Sequence, residues 1–164
     1  MGVAIFVTVG GSGVLAFIAW WLTTYRHPAS EQIVSVYLFT VGCLHIHILE
    51  EYLAGFAPAM SRLFQMPAFT ESLFLISFAF VGISLWILAA IGLIYQNPLA
   101  NYVAWFMFIG PGFMEITHYI FPLLEGGSYH YFPGMWTAWL PMLPGLYGMF
   151  LISLGRFPAA CCVK

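Results

Sequence analysis

The sequence predicts an all-α integral membrane protein, a single-domain bundle of about five transmembrane helices over residues 1–164. Three observations carry this. Of the 164 residues 62% are apolar and only 6% are charged, whereas a soluble domain carries about a quarter charged residues to face water. Apolar stretches of about the length needed to cross a bilayer recur along the chain, and five of them consume roughly 100 residues, leaving only short loops. No stretch alternates in the manner of a barrel strand, and a barrel needs many shorter segments. Four Lys/Arg against six Glu leave no basic stripe, which argues against a nucleic-acid partner. The same composition argues against disorder.

The first span is expected within Met1–Tyr25, which holds no charged side chain and ends in Trp20, Trp21, Tyr25 and Arg26. An aromatic belt followed by a charge is the end of a retained span, not of a cleaved signal peptide. Gly10-Gly11-Ser12-Gly13 has no preceding strand and no following Lys, so close helix packing explains it better than a phosphate loop. A second span is expected from Ile33 to about Gly55, opened by Ser30-Glu31. The third runs from about Thr70 to Tyr95 and turns at Gln96-Asn97-Pro98. The fourth runs from Leu99 to Phe121, interrupted at Gly110-Pro111-Gly112 and ended near Pro122. The fifth runs from about Met135 to Leu154 with Pro141 and Pro144 inside it. Proline there removes a backbone donor, which a membrane bundle tolerates where neighbouring protein re-satisfies the freed carbonyl.

Orientation follows from Lys and Arg. With five spans Arg26, Arg156 and Lys164 share one face and Arg62 lies on the other. The positive-inside rule then places the N-terminus outside and the C-terminus in the cytoplasm. The cysteines form no framework: Cys43 lies in an apolar run, and Cys161-Cys162 stand together near the end. Nothing in their spacing sets a redox compartment, and the terminal residue does not suit prenylation.

Ionisable side chains inside a bilayer cost about 2.5–3.5 kcal/mol each on insertion scales, so they mark function. The second span carries His47-Ile48-Leu49-Glu50-Glu51, and spacings of three and four place His47, Glu50 and Glu51 on one helix face. His45 is about 200° away from His47 and points elsewhere. The fourth span carries Glu115-Ile116-Thr117-His118, again at i, i+3. Both motifs lie in the C-terminal halves of parallel spans, at the level of Glu71 and of the loop Glu125–Gly134 with His130 and Tyr131. One polar cluster near the non-cytoplasmic face follows.

Two His and up to four carboxylates suit a divalent iron, manganese or zinc ion. The candidate ligands are His47, Glu50, Glu51, Glu71, Glu115 and His118. Bundles that hold two metal ions pair Glu with Glu-x-x-His from facing helices, while two His and one carboxylate suit a single iron or zinc. Here one Glu-x-x-His faces a reversed His-x-x-Glu, so nuclearity stays open. Glu50 or Glu51 could serve as a base and the Tyr131 hydroxyl as a donor. Carboxylates deep in the spans argue against haem. Glu71 is also explained by the dipole at a helix start. A structural hydrogen-bond network and a proton- or ion-coupled carrier are the other readings of the cluster.

The segment His47-Ile48-Leu49-Glu50-Glu51 resembles the motif that names the HXXEE family of small membrane proteins. His118 resembles the family's downstream histidine, and Tyr131-Phe132-Pro133-Gly134 resembles its Tyr-x-Pro-Gly motif. Order and spacing agree over roughly residues 35–150. The resemblance implies a multi-helix membrane protein in which these positions matter, and it implies no particular reaction. Glu115 and Glu71 come from helix geometry alone. The expected function is metal-dependent chemistry, oxidative or hydrolytic, on a hydrophobic or lipid-like substrate entering from the bilayer. The alternative is a non-catalytic small subunit of a larger membrane complex, with a membrane-protein partner or a second copy.

Overall fold

The computed structural model describes residues 10–23, 31–67 and 70–153. The calls on charge and thiol placement at Arg26, His27, Arg156, Cys161, Cys162 and Lys164 lie outside the described residues, as do Tyr25 and Ser30. Among the described residues the chain is all-helical, with no strand. Helix α1 is Gly11–Thr23, α2 Glu31–Ala54 and α3 Phe56–Leu63. Helix α4 is Glu71–Ile94, α5 Pro98–Met107, α6 Phe121–Glu125 and α7 Trp139–Ser153.

Two of these, α2 and α4, are long and apolar enough to cross a membrane. At 1.5 Å per residue, 24 residues span about 36 Å, more than the roughly 30 Å of a hydrocarbon core. Their outward faces are apolar as well: Phe39, Leu49 and Leu53 on α2, and Phe80, Leu88 and Ile94 on α4, are all exposed. Helix α1 and helix α7 are shorter apolar helices.

The buried stripe of α2 contains Ile33, Tyr37, Thr40, Val41, Leu44, His47, Ile48 and Glu51. Steps of three and four keep these on one face. The stripe is apolar for its first turns and ends in an imidazole and a carboxylate, so the helix that builds the core also carries the site into it. Tyr37 is fully buried and donates its hydroxyl to the carbonyl of Trp86 on α4 at 3.1 Å. Helix α7 packs along α2 and also covers the segment that follows α5. Its inward face carries Pro141, Gly145, Gly148 and Ile152, with the two glycines at its middle. Helix α1 lies against α5, with Trp20 donating to the carbonyl of Pro98 at 2.9 Å and Trp105 donating to the Thr23 hydroxyl at 3.2 Å.

The helices depart from the expected spans at four places. Residues Ile76–Gly82 within α4 form a wider π-helical turn. After α5 the chain is π-helical over Phe108–Gly112 and then 3₁₀ over Phe113–Tyr119, so the fourth segment is three helical forms in series and not one interrupted α-helix. Pro111 is the cause: it has no N–H to donate and its ring excludes the carbonyl four residues back. Helix α7 becomes regular only at Trp139, four residues later than the Met135 start, because residues 134–138 are turns. Helix α3 was not foreseen; it starts after Gly55, whose φ of 76° lets the chain break from α2.

The Pro111 segment sits close to α7. A Cβ on Gly145 would lie 2.7 Å from the Gly112 Cα and 3.1 Å from the Phe108 carbonyl oxygen. Both obstacles are backbone, so nothing can rotate aside. Gly145→Ala should therefore destabilise the protein by about 1–3 kcal/mol through overpacking. Gly42→Ala on α2, where a Cβ meets nothing within 4 Å, should be neutral or stabilising by up to about 1 kcal/mol. Thermal unfolding of both variants in detergent checks this; equal melting temperatures would refute the close crossing.

Candidate metal centre

Two elements deliver four side chains to one point. On α2, His47 and Glu51 are four residues apart, with Nε2 of the first 3.6 Å from Oε1 of the second. On the 3₁₀ segment Glu115 and His118 are three apart, which at three residues per turn stacks them directly; their Oε2 and Nε2 atoms are 3.0 Å apart. Across the interface His47 Nε2 lies 3.0 Å from Glu115 Oε2, and His118 Nε2 lies 3.3 Å from Glu51 Oε1. The result is a ring of alternating imidazole and carboxylate. The four ligand atoms all fall within 4.8 Å of one another, so this group could hold a metal ion. The His47 and His118 rings are perpendicular, with centroids 4.8 Å apart.

Burial is deep. The side chains of His47 and His118 are 0% and 2% exposed, while that of Glu115 is the most open at 16%. Phe56, Phe121 and Phe132 surround the His118 ring at 5.2, 5.7 and 6.2 Å. Two carboxylates in such an apolar setting demand compensation, by protons or by a cation.

The outward-facing nitrogens decide what the inward-facing ones present. His118 donates its Nδ1–H to the carbonyl of Pro133 at 2.7 Å, an acceptor that has no proton to give. His47 places Nδ1 3.0 Å from the Thr137 hydroxyl oxygen. That hydroxyl in turn donates to Glu50 Oε2. A hydroxyl has one proton; with that proton on Glu50, Thr137 can only accept from His47 Nδ1–H. With Nδ1 protonated, each imidazole in its neutral form would turn an Nε2 lone pair toward the two carboxylate oxygens, and in its protonated form an N–H that hydrogen-bonds Glu115 at 3.0 Å. In the neutral form four acceptors converge with a combined charge of −2, the arrangement that a divalent cation neutralises. A metal-bound His usually donates its other N–H to a carbonyl, carboxylate or similar acceptor, and both histidines here do so.

Of the six expected ligands, the structure brings together His47, Glu51, Glu115 and His118. Glu50 stands beside the group. Its carboxylate accepts from the Tyr131 hydroxyl at 2.6 Å, from the Trp136 and Thr137 backbone N–H groups at 3.1 and 2.7 Å, and from the Thr137 hydroxyl. Glu71 is exposed in the first turn of α4, where Thr70 caps the helix, and is not one of the four. Tyr131 reaches Glu50 and not the ring of ligands; partial burial and then that hydrogen bond push its phenol up to about 12. The Tyr131–Gly134 turn nevertheless closes over the cluster through its last two residues. Gly134 has φ 91°, and a Cβ there would lie 2.5 Å from the His118 ring and 3.0 Å from the Glu51 side chain.

The two other described histidines, His45 and His130, are apart from the group. His45 bonds through Nδ1 to the carbonyl of Val41 on its own helix and packs against the Trp86 ring. His130 is exposed; its hydrogen bonds to the Ser128 carbonyl and to Glu125, the latter at 2.6 Å, raise its pKa. Thr137 and the Pro133 carbonyl were not picked out from the sequence. Thr137 is a lone hydroxyl in an apolar run, and a backbone carbonyl leaves no mark in a sequence; the Tyr-x-Pro-Gly turn was the one available signal.

Two apolar grooves open on the surface. One, about 450 Å³, lies between α4 and α5 beside Trp86 and Tyr102; the other, about 260 Å³, lies between α2 and the π-helical turn of α4 beside His45 and Tyr52. Neither is lined by any of the four clustered side chains. No family model, no curated protein and no solved structure matches this chain.

Proposed function

We propose that this chain is a multi-pass membrane protein of the HXXEE type that holds one divalent metal ion between His47, Glu51, Glu115 and His118, for chemistry on a hydrophobic or lipid-like substrate. The observation that carries the reading is the convergence of two Nε2 atoms and two carboxylate oxygens, each histidine bonded from behind through Nδ1. In a tetrahedral site with metal–ligand bonds near 2.0–2.1 Å, ligand atoms stand about 3.3–3.4 Å apart. Four of the six separations, 3.0, 3.0, 3.3 and 3.6 Å, bracket that value, and all six fall within 4.8 Å. The donor set of imidazole and carboxylate suits zinc, iron or manganese.

The reading favours one ion over two. A second ion would need Glu50 as a bridge or terminal ligand, and its oxygens already accept four hydrogen bonds. Bound zinc would supply a Lewis acid for hydrolysis, and iron would supply a redox centre for oxidation. Substrate would approach at Glu115, the most open of the four, whose neighbours Phe113, Ile116 and Ile120 are exposed and apolar. A surface of that kind faces a bilayer, so the substrate is one that partitions into lipid. The separation of both grooves from the cluster favours a second reading, in which four protein ligands close the shell and the metal braces a subunit of a larger membrane complex.

Five spans with the N-terminus outside place α3 and the 122–134 loop on the non-cytoplasmic side, with the metal cluster near that face. Single cysteines replacing Arg62 and Arg156, in a chain otherwise free of cysteine, should label from opposite sides of intact membranes. Labelling from the same side would refute this topology.

Elemental analysis of detergent-purified protein should find about one equivalent of iron, manganese or zinc. His47→Ala and His118→Ala should each lose most of it, since either removes one of two imidazoles. A folded wild-type protein without bound metal would overturn the proposal.

A further inference from the structure

Resting on that metal reading, the geometry points to Thr137 and Glu50 as positioning residues for the metal centre, a hydroxyl–carboxylate pair that holds His47 with its Nε2 lone pair turned inward.

The two histidines are oriented differently. His118 has an acceptor with no alternative role, the Pro133 carbonyl at 2.7 Å. His47 has a hydroxyl, and a hydroxyl can donate as well as accept. Were Thr137 to donate to Nδ1, the His47 proton would sit on Nε2 and point at Glu115 and Glu51, blocking that coordination position. Glu50 removes the choice. Its oxygens only accept, and they take the one proton that the Thr137 hydroxyl has. The carboxylate is itself fixed by the Tyr131 hydroxyl and by the N–H groups of Trp136 and Thr137. The Glu50 carboxylate hydrogen-bonds Thr137, which in turn meets His47 Nδ1, so it acts through Thr137.

One short stretch thus supplies every orienting contact. Pro133 orients His118, Gly134 permits the close approach, Thr137 orients His47, and Tyr131, Trp136 and Thr137 hold Glu50. The second Glu of the Glu50-Glu51 pair ligates and the first positions. Adjacent residues on a helix point about 100° apart, which is why one carboxylate faces the 3₁₀ segment and the other faces the approach to α7.

Outer hydrogen-bond partners of metal-bound histidine are commonly worth 10- to 100-fold in affinity. Full-length protein in detergent, stripped of metal, is titrated with Co²⁺ against a fluorescent chelator, and the visible spectrum of bound Co²⁺ is recorded. Thr137→Val keeps the shape and loses the hydroxyl; its Co²⁺ affinity should fall about 10- to 100-fold and its Co²⁺ spectrum should change. Thr137→Ser should restore both. Glu50→Gln presents an amide that can donate to the Thr137 oxygen and free its proton for His47, so it should weaken Co²⁺ binding in the same range. Glu50→Gln and Thr137→Ser carry the test if Thr137→Val fails to fold. A merely structural role would lower the melting temperature and leave Co²⁺ affinity and spectrum as in wild type, and that result overturns the inference alone. Absence of Co²⁺ binding by wild type overturns the metal reading and this inference with it.

Discussion

Glu51 and Glu115 share the same two imidazoles inside an apolar bundle, and the rest of the molecule is arranged around that charge problem. Two carboxylates this close repel in a low-dielectric interior and lose their hydration. Each is met by Nε2 of His47 and of His118, yet both histidines spend their Nδ1 hydrogens on acceptors behind them. With neutral rings the centre is therefore all acceptor and carries charge −2. The balance must come from within the ring, as protons on the imidazoles, or from a divalent ion at its middle. The outward hydrogen bonds serve both states, since Nδ1–H is present in each, but they serve the metal state in particular because they leave Nε2 free.

Where the second pair of side chains reaches the site, the backbone leaves the regular α-helix. Helix α2 can bring His47 and Glu51 together without distortion, because a step of four turns the helix by only about 40° past a full revolution. The second pair uses a step of three, which leaves an α-helix about 60° short and a 3₁₀-helix in register. Pro111 breaks the α-helical ladder and is followed by that 3₁₀ turn. The loosened segment is held by close contact of Gly112 with Gly145 on α7, where small residues let backbones approach. Rigidity at the site thus comes from backbone crossings and from the aromatic rings about His118, not from polar contacts alone.

Much of this was legible in the sequence. The apolar runs marked α2 and α4 well, because both helices carry apolar residues on their exposed faces as well as their buried ones. His47, Glu51, Glu115 and His118 were found by helical spacing, and Gly110-Pro111-Gly112 marked the break. Spacing could not separate Glu50 from Glu51, since i+3 and i+4 are both near neighbours of i, and only the packing of the 131–137 turn against α2 decides which one faces inward. Glu71 is expected from the span order at the level of the group but is exposed at the start of its helix, because level along an axis says nothing of direction around it. The π and 3₁₀ forms, the short α3 and the orienting role of Thr137 depend on contacts between distant segments, and no local pattern encodes those.

The central claim is that one metal ion sits among two imidazoles and two carboxylates. X-ray absorption at the K-edge of the metal that co-purifies tests it most directly. The account predicts a first shell of about four nitrogen and oxygen ligands near 2.0–2.1 Å, the multiple-scattering pattern of two imidazoles, and no metal–metal vector. A metal–metal distance of about 3.5–4 Å, or a shell without imidazole, would contradict it.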